Sequence, residues 1–68
     1  MKLTFEQAAK INNIIERINI QYPFIEDEEF LSIVDEELLD FAKNEIKPNP
    51  TLSEVRQMIV SAYMMRRN

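Results

Sequence analysis

Apolar positions along the chain fall into three runs with helical spacing. In the first, Ala8, Ile11, Ile15, Ile18 and Tyr22 recur at alternating steps of three and four, with Ile14 on the flank. That rhythm places them on one stripe of an α-helix. Thr4 followed by Gln7 fits a capping box, in which the two side chains satisfy backbone N–H groups left open by the first turn. Pro23 closes the run, because the residue before a proline is pushed out of the α region. The spacing predicts a helix over about 4–21.

The second run opens on four carboxylates, Glu26 to Glu29, which suit the positive end of a helix dipole. Phe30, Leu31, Ile33, Val34, Leu38, Leu39, Phe41, Ala42 and Ile46 then cover a broad arc, and Glu29, Ser32, Glu36, Asp40 and Lys43 share the opposite side. A single helix over about 27–46 accounts for this. Asp35 falls among the apolar positions, so the alternative is a break there, with Asp35 capping a second short helix. Lys47-Pro48-Asn49-Pro50 reads as a stiff loop, since two prolines this close cannot sit inside a helix. Thr51 and Glu54 form a second capping box. Leu52, Val55, Met58, Ile59, Ala62 and Met65 mark a third stripe, with Tyr63 at its edge, over about 52–66. Arg66 and Arg67 sit at the negative end of that helix. Three amphipathic helices with short connections predict an all-α fold, a compact three-helix bundle forming one domain over residues 1–68.

Composition agrees with a folded core and limits what it can do. Leu, Ile, Val and Phe make up 21 of the 68 residues, well above the ~20% typical of disordered chains. There is no Gly, Cys, His or Trp. Disulfides and the usual zinc sites are therefore excluded, so stability rests on apolar packing. The same inventory removes the commonest general base, the thiolate nucleophile, the P-loop and the dinucleotide fingerprint. Glu36 and Asp40, one turn apart, remain as a carboxylate pair, but a chain this short has little volume for a cleft that would tune them. The acidic run Glu26–Glu29 lacks the ligand alternation and glycine of a calcium loop. No catalytic residue, metal ligand or cofactor is expected.

No run approaches the roughly 18 apolar residues of a membrane span, and no secretory signal is visible, so cytoplasmic residence is expected. Abundant Ile and Asn, with no Gly, hint at an AT-rich coding sequence and a bacterial or phage source.

Charge is distributed unevenly. Residues 1–23 carry +1, residues 24–47 carry −7 and residues 48–68 carry +2, giving −4 in all. Within the second helix only Asp40 has a base within reach, Lys43, while Glu36 and Asp40 form a like-charge pair at i,i+4. The acidic face Glu29, Glu36, Glu37 and Asp40 is therefore a candidate contact for a protein partner with a basic surface. Glu29 and Glu36 lie about 10 Å apart along a helix and Glu36 and Asp40 about 6 Å, which would also suit mimicry of DNA phosphates by an inhibitor. On the third helix, Val60, Tyr63 and Met64 lie beyond the core stripe and form a candidate apolar edge for a partner or a homodimer. Arg56, Gln57, Arg66 and Arg67 are the residue types of a helix-turn-helix DNA reader, but eight basic residues under a net −4 disfavour nucleic acid as a partner. The expected function is a non-catalytic protein–protein interaction module, a small regulator or inhibitor.

Overall fold

Three helices make up the computed structural model, which describes residues 2–66: α1 (Phe5–Gln21), α2 (Asp27–Glu45) and α3 (Leu52–Arg66). Their ends follow from local chemistry. At the start of α1, Gln7 N–H donates to Thr4 Oγ1 and Thr4 N–H donates to Gln7 Oε1, each at 3.0 Å. At the start of α3 the pattern repeats, with Glu54 N–H on Thr51 Oγ1 at 3.1 Å and Thr51 N–H on Glu54 Oε1 at 2.9 Å. Both capping boxes expected from the sequence are formed. Glu26 caps α2 without a side-chain hydrogen bond, so the carboxylates of that first turn act on the dipole alone. At the far end of α2, Ile46 N–H and Lys47 N–H both donate to the Ala42 carbonyl, each at 2.9 Å, and close the helix before Pro48. Asn49 then turns the chain with φ of 54°, a left-handed conformation that asparagine tolerates better than most residues.

Helix α2 runs unbroken through Asp35. The reason is tertiary: Arg56 of α3 grips the Asp35 carboxylate with two hydrogen bonds, Nε on Oδ1 at 2.9 Å and an Nη on Oδ2 at 2.7 Å. Asp35 can therefore sit beside the core without capping a new helix.

All three helices pack on one another, α1 most extensively on α3, around one core. Ile11, Ile18, Val34, Leu38, Val55 and Met58 are fully enclosed, and Ala8, Ala42 and Ala62 are buried with them. Leu3, ahead of the first helix and outside its stripe, is buried as well. Asn12 of α1 donates its side-chain N–H to the Ala62 carbonyl of α3 at 3.1 Å, a polar bridge inside the tightest helix pair.

Several residues placed on the apolar stripes lie partly in solvent. Tyr22 and Leu31 are 38% exposed and Leu52 is 47% exposed. Tyr22 and Leu52 sit at helix ends, and Leu31 lies in the first turns of α2.

Candidate functional site

The acidic character of α2 is sorted by angle around the helix. Asp35 and Glu37 are two positions apart, roughly 200° around the axis, so they face opposite flanks. Asp35 faces α3 and meets Arg56; Glu37 faces α1 and meets Arg17 Nη at 3.1 Å. Near the end of α2, Glu45 receives Lys10 of α1 at 2.9 Å, and Lys10 also lies 3.7 Å from Glu6. These pairs brace the bundle. The Glu45 carboxylate, chiefly through its hydrogen bond, raises the Lys10 pKa, and hydrogen bonding to Asp35 likewise raises that of Arg56.

The ridge between those flanks carries the exposed acids. Glu36, Glu37 and Asp40 line one open surface depression of about 530 Å³ together with Tyr22 and Ile33. Glu29 lies apart, in a second depression with Ile25, Glu26, Asp27 and Glu28. The four expected acidic residues are therefore all exposed, but they divide between two hollows, and Glu37 is already engaged by Arg17. Among the described residues, Glu36 and Asp40 have no ion-pair partner. The Asp40–Lys43 pairing expected from their spacing is not formed: no contact within ion-pair distance joins them. Among the described residues no group of three or more carboxylates converges as a metal site would require.

On α3, Val60, Tyr63 and Met64 are 62%, 53% and 58% exposed, so the apolar edge faces outward as its spacing implied. Val60 lines a shallow hollow with Ser53, Arg56, Gln57 and Ser61; Tyr63 and Met64 lie outside it. Of the residue types suited to reading DNA, Arg56 is held by Asp35, Gln57 and Arg66 are exposed, and Arg67 lies outside the described residues. Arg66 instead lines a depression of about 320 Å³ between α1 and α3, with Phe5, Asn12, Glu16 and Met65.

Three exposed apolar side chains lie outside every expected surface: Phe24 is 96% exposed, Phe5 80% and Ile20 72%. Ile20 falls almost opposite the centre of the α1 stripe at 100° per residue, which is legible in the spacing. Phe24 stands in the five-residue connection between α1 and α2, next to Pro23, where no helical periodicity applies.

Neither a protein-family model, nor a curated protein, nor a solved structure matches the chain. None of its described helices is long and apolar enough to cross a membrane. The molecule is thus defined by its fold class, an all-α three-helix bundle, and by the surfaces that bundle presents.

Proposed function

We propose that this chain is a non-catalytic protein-interaction module, a small cytoplasmic regulator or inhibitor of bacterial or phage type, which engages a protein partner through the outer face of α2. The observation that carries this reading is the pairing of two carboxylates with no ion-pair partner among the described residues, Glu36 and Asp40, with the apolar side chains of Tyr22 and Ile33 in one open hollow. A protein interface combines apolar contact area with charges that steer encounter and set register. The neutral outer edge of α3, with Val60, Tyr63 and Met64, is a second contact region on which a partner or another copy could dock.

One further reading draws support from a specific feature. Glu29, Glu36 and Asp40 are exposed along a single helix, at separations a row of phosphates could share, so the partner would be a nucleic-acid-binding enzyme whose groove is blocked. Helix-turn-helix DNA binding gains less support, because the Arg56 guanidinium is occupied within the bundle.

The experiment is capture of partners by a tagged chain from bacterial extract, wild type against Glu36→Lys/Asp40→Lys, with circular dichroism to verify unchanged helicity. Loss of a defined partner on charge reversal supports the reading, and a partner that itself binds DNA favours the decoy form. Retention of the same partner at the same yield refutes the role of α2.

A further inference from the structure

We propose that the outer face of α2 accommodates a cationic amphipathic helix of the partner protein, its apolar side over Tyr22, Ile33 and Phe24 and its Lys or Arg side chains on Glu36 and Asp40. This rests on the preceding reading of α2 as the contact face and names the chemistry of what covers it. Phe24 is the starting point. It is the most exposed large apolar side chain described, at 96%, and lies two residues from Tyr22, so their Cα atoms are at most about 7 Å apart. Tyr22 in turn lines the hollow with Ile33, Glu36, Glu37 and Asp40. Tyr22, a half-buried Ile and two carboxylates without an ion-pair partner among the described residues thus share one hollow, and the exposed Phe24 stands two residues along the chain from it.

Charge decides among the occupants of such a face. A second copy would bring two segments of charge −7 face to face. An anionic lipid surface and a nucleic acid carry the same sign as that face and are repelled. A simple polycation would satisfy the carboxylates but leave Phe24 and Tyr22 in water. A segment with both cations and apolar side chains satisfies both parts of the face. Its length also follows: Ile33 to Asp40 spans about 10 Å at 1.5 Å per residue, so about two turns of a partner helix cover the hollow and a further turn reaches Phe24. Glu36 and Asp40, four residues apart, match cations spaced one turn apart on that helix.

The test uses the full chain, labelled with nitrogen-15, and a synthetic capped helical peptide of about 14 residues with Leu on one face and Lys flanking it. Amide shifts are expected at Tyr22, Phe24, Ile33, Glu36 and Asp40, with binding that weakens as salt is added. Phe24→Ser and Glu36→Lys/Asp40→Lys should each weaken it about tenfold, and so should replacing the peptide's Leu by Ser or its Lys by Glu. Both protein substitutions lie on the surface, and circular dichroism verifies the fold. Equal binding of the Leu-free peptide would mean charge attraction alone and would overturn the proposal. So would indifference to Phe24→Ser, shifts centred on Val60 and Met64, or a doubling of mass on peptide addition. If the peptide fails to bind while partner capture still depends on Glu36 and Asp40, the amphipathic helix is refuted and the contact face stands. If capture too is indifferent to charge reversal, both fall.

Discussion

Leu31, Leu38 and Leu39 place the same side chain at three depths of the same helix, so truncating each to Ala separates burial from chemistry. Leu38 is fully enclosed, Leu39 is half-buried and Leu31 is 38% exposed. The three carbons removed are worth about 2.4 kcal/mol at ~0.8 kcal/mol per methylene. At Leu38 a residual cavity adds to that, giving about 3–5 kcal/mol. At Leu31 roughly 60% of the transfer contribution is at stake with no enclosed cavity, and the denatured chain already covers part of it, leaving about 1 kcal/mol. Leu39 should fall between. A domain of this size has a net stability of about 3–10 kcal/mol, so Leu38→Ala should remove a large share of it, while Leu31→Ala leaves the bundle folded. Urea unfolding followed by far-ultraviolet circular dichroism supplies the free energies, from midpoint and slope together. Equal losses at Leu31 and Leu38, or a loss below about 1 kcal/mol at Leu38, would refute the placement of the core.

Glu54 accepts hydrogen bonds from Lys47 Nζ and the Thr51 N–H, and these, Lys47 first, pull its pKa from an ordinary 4.5 to about 2. A carboxyl depressed in the folded state favours folding above its unfolded value and loses that contribution as pH falls from near 4.5 through 2. Carbon-13 titration of the Glu54 carboxyl should give the low midpoint, and Lys47→Met should raise it; a midpoint near 4.5 in the unaltered protein would refute the cluster. On α3, a seam between copies at the apolar edge would show as a sedimentation mass above 8.1 kDa that falls to the monomer with Met64→Glu. A monomer indifferent to that change removes the seam.

The fold was legible because its determinants are local. Thr4–Gln7 and Thr51–Glu54 announce two helix starts within four residues each, Pro23 and the Pro48–Pro50 pair mark the breaks, and the apolar stripes supply the periods between. The continuity of α2 was not legible in that way. Asp35 is an awkward residue at an inward-leaning position until Arg56, 21 residues later, comes to meet it. Pairing at that separation leaves no trace in i,i+4 patterns. The same applies to Glu37, which has no base three or four positions away on its own helix and finds Arg17 on another. The depth of Leu31 and Leu52 also escaped, since a period gives the angle around a helix but not how far the neighbouring helices extend along it. Phe24 could be read only as part of a connection, because its exposure depends on where three helices leave it.

Those tertiary ion pairs determine where the surplus charge of the molecule resides. Lys10, Arg17, Lys47 and Arg56 are each engaged by an acid within the bundle, and three of those acids, Asp35, Glu37 and Glu45, belong to α2. Of the twelve acidic residues, the seven left without an ion-pair partner among the described residues are Glu16, Glu26, Asp27, Glu28, Glu29, Glu36 and Asp40. Six of the seven lie in the stretch from Glu26 to Asp40, at the start and along the outer ridge of one helix. A surplus serving solubility alone could be spread evenly over the surface. Here folding itself consumes the flanking acids of α2 and leaves the remainder at the start of the helix and along its outer ridge, where Glu36 and Asp40 share a hollow with Tyr22 and Ile33. That gives the molecule one strongly polarised side, whose attraction for cations should decline with ionic strength, while the apolar core, which does not depend on charge, should hold the three helices together as salt is added.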